Sequence, residues 1–142
     1  MAIGKIVLSL GILSLSASAV AGDVTLNVKG LKSSKGQVLA YYWTKADGFP
    51  AKVEKAAGKL IVPISGNAAT VVFKNVAPGV SAFSVVHDEN GNGKMDTNFI
   101  GIPKEGNSST RDPRPSGRAP HFDEAQVTVP AAGATFTINI AY

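Results

Sequence analysis

The 142-residue sequence contains no cysteine, so no disulfide braces the fold and stability must come from the core and any bound ion. Two histidines, His87 and His121, are too few to build more than a sparse transition-metal site that leans on carboxylates. Each reads better as a loop or strand-end residue than as a ligand. Serines 81, 84, 108, 109 and 116 stand in no Gly-x-Ser-x-Gly context, which leaves acyl transfer without a motif. No internal repeat and no heptad pattern is present. Charge is also modest: 14 Lys and Arg against 10 Asp and Glu give +4, too little for a nucleic-acid surface.

A long apolar run is missing too. Residues 6–20, IVLSLGILSLSASAV, follow a single Lys5 and reach about fifteen residues, the length of a signal-peptide core, where a spanning helix takes about 20. Ala17-Ser18-Ala19 and Ala19-Val20-Ala21 supply overlapping Ala-x-Ala frames, and Gly22-Asp23 turns polar at once. This order predicts a signal peptide over residues 1–21, cleavage after Ala21, and one mature domain over 22–142, periplasmic or secreted, with no transmembrane segment after cleavage.

What the mature chain has is strand patterning. DVTLNVKGL (23–31) alternates Val24, Leu26 and Val28 with Thr25, Asn27 and Lys29, and QVLAYYW (37–43) follows after Ser33-Ser34-Lys35-Gly36, so the pair reads as a hairpin. One or two helical turns are expected within 51–57, where helix formers dominate. LIVPI, ATVVFKNV and VSAFSVVH are three further apolar runs set off by turn residues, and AQVTVP and ATFTINIAY close the chain. About seven strands with little helix predict an all-β fold, an antiparallel β-sandwich. One long irregular region, from Asp88 to about Glu124, interrupts it; segments of that length are usually functional or disordered.

That region opens with HDENGNGKMDTN (87–98). Asp88, Asn90 and Asn92 occupy the first, third and fifth positions of a calcium-loop pattern. Gly93 supplies the sharp turn, Lys94 offers a main-chain carbonyl, and Asp96 stands at the ninth position. Alternate side chains of a tightly turning loop converge on one centre, and calcium takes six to eight hard oxygens. Phe99 stands where a bidentate Glu belongs and two ligands are neutral amides, so any site is weak, about 10⁻⁴ to 10⁻³ M, unless Glu105 folds back to complete the shell. Against this, Asn90-Gly91 and Asn92-Gly93 are favoured turn dipeptides whose amides bond their own backbone without a metal.

Arg111, Arg114 and Arg118 lie on a segment stiffened by Pro113 and Pro115. Guanidinium groups pair bidentately with phosphate and carboxylate, so an envelope glycolipid phosphate or an acidic polysaccharide is the partner chemistry they suit. The plainer expectation is a solvated loop paired with Asp112, Asp123 or Glu124, which also accounts for those carboxylates better than a glycosidase pair does. Tyr41, Tyr42 and Trp43 offer a sugar-stacking platform, although successive strand residues face opposite ways and at least one must lie in the core.

The run FKNVAPGVSAFSVVHDENGNGKMD (73–96) resembles the C-terminal half of prealbumin-like, Ig-like sandwiches, where a strand, a Pro-Gly turn and a second strand lead into an Asp-rich loop. With HDENGNGKMDTNFIGIPKEG (87–106) and APHFDEA (119–125), the chain is similar to the exported bacterial family called domain of unknown function 2141. The resemblance implies a sandwich fold and export, and no activity. The functional expectation is therefore an exported small binding or structural module of the envelope rather than an enzyme. A metal-assisted hydrolase and a carrier of a small apolar ligand are the alternatives.

Overall fold

A computed structural model describes residues 21–142; the signal-peptide segment, Ala21 apart, lies outside the described residues. The strands are β1 (Gly22–Lys29), β2 (Gln37–Trp43), β3 (Gly58–Pro63), β4 (Ala69–Val76), β5 (Gly79–Asp88), β6 (Asn107–Ser109), β7 (Val127–Val129) and β8 (Ala134–Asn139). A single 3-10 turn, Val53–Lys55, realises the expected helical turns, and a four-residue helix α1, Phe122–Ala125, precedes β7. None of the helices described is long and apolar enough to cross a membrane.

Two sheets make the sandwich. One orders its strands β4-β1-β8 and the other β3-β2-β5-β6, with β7 also pairing β5. Pairing is antiparallel except between β1 and β8, which run parallel from Val24↔Ala134 to Lys29↔Asn139. The all-β sandwich expected from the sequence is thus present, with eight strands among the described residues instead of about seven. The added strand is β6, Asn-Ser-Ser, a sequence with no strand preference of its own. It is made a strand by β5, whose Ser84, Val85 and Val86 pair with Ser109, Ser108 and Asn107.

The expected hairpin of β1 with β2 does not form. β1 pairs β4 and β8, whereas β2 pairs β3 and β5 in the other sheet. Burial explains the separation. β1 hides one face, Val24, Leu26 and Val28, and suits the thinner sheet, but β2 buries both faces and can only sit in the middle of the larger one. The link between them crosses from sheet to sheet, anchored by Leu31 at 4% exposure.

Between the sheets, Val24, Leu26, Val28, Val38, Ala40, Val71, Phe83, Val85 and Ile138 form one buried cluster. A second cluster lies on the outer face of the larger sheet, where Leu39, Tyr41, Trp43, Ala82 and Val86 are covered by Phe49, Met95, Phe122 and Ala125. Trp43 meets Phe49 edge-on at 5.3 Å, and Phe49 meets Phe122 in the same way at 5.8 Å. Trp43 and Tyr41 are 1% and 2% exposed and Tyr42 stacks on Phe83 at 5.3 Å, so the supposed sugar-stacking platform is core material. The second cluster requires the sheet's outer face to be roofed, and the long region between β5 and β7 supplies much of the roof.

Candidate functional site

The 89–106 loop starts where β5 runs out. Asp88 is fully buried at that end, and its carboxylate organises the turn: Oδ1 accepts from Asn92 N (3.2 Å), and Oδ2 accepts from Gly93 N (2.8 Å) and Gln37 Nε2 (2.8 Å). Gly36 lies against this corner with φ +73°, and a Cβ there would stand 2.0 Å from the Asp88 carbonyl oxygen, so only glycine lets the two strand ends approach.

The two Asn-Gly pairs do not make a two-residue hairpin. They turn the loop, with Gly91 and Gly93 at φ +68° and +82°. Asn90 Oδ1 accepts from Asn92 N (3.2 Å) and Asn92 Oδ1 from Lys94 N (3.1 Å), the self-bonded amides expected of turns. Both amide nitrogens then donate to Asp96, Asn90 Nδ2 to Oδ2 at 2.6 Å and Asn92 Nδ2 to Oδ1 at 2.8 Å.

Phe99, at the position where a calcium loop carries its Glu, is 98% exposed. Glu105 folds back in its place. It is 6% exposed, Oε1 accepts from Asp96 N (2.8 Å), and Oε2 accepts from Glu89 N (2.6 Å). Asp88, Asn90, Asn92, Asp96 and Glu105 thus share one hydrogen-bonded network, with Lys94 joined through its backbone N–H.

The network is not tightly drawn. Among the described residues, the His, Asp and Glu ligand atoms that come within 4.8 Å of one another in a group of three are those of His121, Asp123 and Glu124, so the carboxylates of Asp88, Asp96 and Glu105 stand further apart. A cation entering the loop would have to draw them in and turn the two Asn amides, breaking their bonds to Asp96. The surface set at His121 is already occupied by a charge pair: Glu124 Oε1 lies 2.7 Å from Arg118 Nη2 and 3.5 Å from His121 Nδ1.

Hydrogen bonds from Asn92 and Asn90 hold the Asp96 carboxyl below its ordinary value of 3.8, against a smaller opposing effect of desolvation. A depressed carboxyl contributes stability that is full above its unfolded value and lost as pH falls through the lower folded value. The side-chain amide signals of Asn90 and Asn92 should therefore hold their positions from neutral pH down to about 3.8 and shift only below it. In Asp96→Asn that acid transition should be absent, as measured by ¹H-¹⁵N NMR.

Beyond the loop, the chain from β6 to α1 crosses the outer face of the larger sheet and leaves a groove of about 810 Å³. Its floor carries a row of hydroxyls, since Tyr41 pairs Ser84 in the register of β2 with β5 and Ser84 pairs Ser109 in that of β5 with β6. Ser84 Oγ accepts from Trp43 Nε1 (2.9 Å). Ser109 Oγ is buried with no partner among the described residues. Met95, Ile100 and Ile102 border the groove from the loop, Pro50 and Val53 from the segment after β2, and Arg114 and Arg118 from the arm, the chain between β6 and α1.

The three arginines do not act as one cluster. Arg111, at φ +69°, donates Nη1 to the Asp123 carbonyl (2.9 Å) and does not border the groove. Arg118 is paired with Glu124, and among the described residues Arg114 bonds neutral oxygens alone: Ser108 Oγ (3.0 Å), the Pro113 carbonyl (3.1 Å) and the Asn139 carbonyl (2.8 Å). Asp112, instead of pairing with an arginine or with Asp123 and Glu124, accepts from Asn139 N (2.9 Å) and Asn139 Nδ2 (2.7 Å) and so ties the arm to β8.

His87, fully buried, lies in register with Val38 of the inter-sheet core. Its Nε2 donates to the Lys35 carbonyl (2.8 Å), and its Nδ1 lies 2.6 Å from the Tyr142 hydroxyl. Among the described residues neither histidine bonds a serine. Sequence reasoning missed the hydroxyl row, for nothing in Asn-Ser-Ser marks it as a strand; the Arg114 and Ile102 sides of the groove were visible only as a basic loop and a few apolar residues.

Comparison with curated proteins and with solved structures gives no match. A family model does match, over residues 26–137, which takes in the second half of β1, all of β2 to β7, most of β8 and the whole of the loop and arm. With this span covered, the chain belongs to the bacterial family described as "uncharacterized protein conserved in bacteria (DUF2141)".

Proposed function

We propose that this protein is an exported, non-catalytic binding module of the cell envelope, and that the groove on the outer face of the larger sheet is its binding site. The observation that carries the reading is the groove itself. Its volume of about 810 Å³ falls in the range of about 300–1,000 Å³ that small-molecule sites occupy, and apolar walls surround a few convergent polar groups. The signal-like order of residues 1–21 supports export. A binding role rather than catalysis is supported by the engagement of His87 with the Lys35 carbonyl and Tyr142 and of His121 with Glu124, which leaves no histidine beside a groove serine among the described residues.

The 89–106 loop forms one wall, so its order sets the groove's shape. Calcium, bound weakly through Asp88, Asn90, Asn92, the Lys94 carbonyl, Asp96 and Glu105, is proposed as a structural ion that stiffens this wall. A groove that holds ligand predicts a compact pattern in a ¹H-¹⁵N titration with a panel of neutral, cationic and anionic amphiphiles. Amides of Tyr41, Ser84, Val86, Ile102 and Ser109 should move together. A panel that moves none of them, or moves only the shallow hollow at Val62, Pro63 and Ala69, overturns the reading.

A further inference from the structure

The groove is asymmetric in chemistry. Its loop side is open and mostly apolar, with Lys94 the one charged side chain that borders the groove there: Ile100 and Ile102 are 65% and 54% exposed, beside Phe99 at 98%. Its arm side carries positive charge that the fold leaves unneutralised. A guanidinium has five N–H donors. Arg114 directs three hydrogen bonds at neutral oxygens and makes no ion pair among the described residues, so two donors remain for something else. Asp112 reaches the same Ser108 hydroxyl at 3.3 Å, which places a carboxylate near Arg114 without pairing it.

The floor continues the pattern. Ser109 Oγ, in a residue 2% exposed, has no partner among the described residues, and a buried hydroxyl without one costs about 1–3 kcal/mol. Burial, and next the charge of Asp88, push the Tyr41 phenol up, so it remains a protonated donor. Unpaired donors of this kind suit an acceptor-rich head group, and the exposed isoleucines suit an apolar chain.

We infer that the groove takes a single-chain anionic amphiphile, its phosphate or carboxylate head on Arg114 at the edge of the hydroxyl-bearing floor and its chain along Met95, Ile100 and Ile102. This rests on the groove being the binding site and adds the class of ligand. Arg118, already neutralised by Glu124, contributes less than Arg114, and Arg111 contributes nothing.

Dodecyl phosphate, kept below its micelle-forming concentration, is the probe, with dodecyl maltoside as the neutral chain and inorganic phosphate as the head alone. By calorimetry, dodecyl phosphate should bind at least about tenfold more tightly than dodecyl maltoside, the factor expected of one charge-assisted contact, and inorganic phosphate should bind far more weakly than either. Arg114→Ala should bring the two detergents level while Arg111→Ala leaves the difference intact. Ile102→Asp, at an exposed position that spares the fold, should weaken both.

Equal affinity of the wild type for the two detergents, or a preference that survives Arg114→Ala, overturns the anionic class and leaves the groove as a site for neutral chains. Failure of every amphiphile overturns the groove itself. Vesicles of neutral lipid doped with an anionic phospholipid separate the source: a bilayer-bound partner should pull the protein down with the vesicles, whereas monomer binding without sedimentation supports a free ligand. Sedimentation that persists in Arg114→Ala counts against the inference.

Discussion

Phe83→Ala should lower stability by about 3–5 kcal/mol, the usual cost of deleting a fully buried aromatic ring. Phe83 is completely buried on β5, with Tyr42 stacked at 5.3 Å, Phe73 at 5.6 Å and Phe136 at 6.2 Å, so its ring links β2, β4 and β8 across the sandwich. The neighbouring strands are pinned by their own hydrogen bonds and cannot close fully over the space, which is why a cavity cost adds to the transfer cost. With no disulfide to restrain the unfolded chain, a loss of this size consumes much of a typical stability of about 5–15 kcal/mol. Thermal and urea unfolding should show a melting temperature lower by about 10–20 °C. A cost below about 1 kcal/mol would mean that the two sheets do not meet at this ring.

Asp88→Ala is the second large effect, and it has two parts. Without calcium it should cost about 2–4 kcal/mol, because the backbone N–H groups of Asn92 and Gly93 and the Gln37 amide lose their acceptor together at a buried corner. With calcium it should also abolish the ion's effect. In the wild type, calcium should raise the melting temperature as its free concentration climbs through about 10⁻⁴–10⁻³ M, by RT ln(1 + [L]/Kd), which is about 0.4 kcal/mol at the Kd and about 2.7 at a hundredfold excess. Magnesium should do less, since it demands a smaller and more regular shell.

The two parts separate in other variants. Asp96→Ala removes a charged ligand without exposing the Asp88 corner, so it should silence the calcium response at little cost to the apo protein. Asn90→Asp should strengthen the response by adding charge at a ligand position. A wild-type titration that stays flat to several millimolar, with Asp88→Ala still destabilising, would leave the loop as a self-bonded turn and the ion without a role.

How much of this was legible in the sequence depends on whether the information was local. β1, β4 and β8 each bury one face, and their alternation shows in residues such as Val24, Leu26 and Val28, or Phe136 and Ile138, because a half-buried strand writes its period into neighbouring positions. The Asp88 loop was legible for the same reason: its ligand-type residues sit at alternate positions, and Glu105 was the nearby carboxylate able to close it. β2 and β5 bury both faces and carry no period, so their place at the centre of the larger sheet, and the crossing between β1 and β2, were not written locally. Tertiary pairing alone made a strand of Asn107–Ser109, since its partner Ser84–Val86 lies more than twenty residues away and its own side chains favour turns. The site followed from that pairing. The sequence determined that arginines, serines and isoleucines were present in the long region, but which of the two groove arginines lacks an ion pair was decided by Glu124 reaching Arg118 and not Arg114. Which hydroxyl went without a partner was decided by a strand register, because long-range contacts select among side chains that are chemically alike.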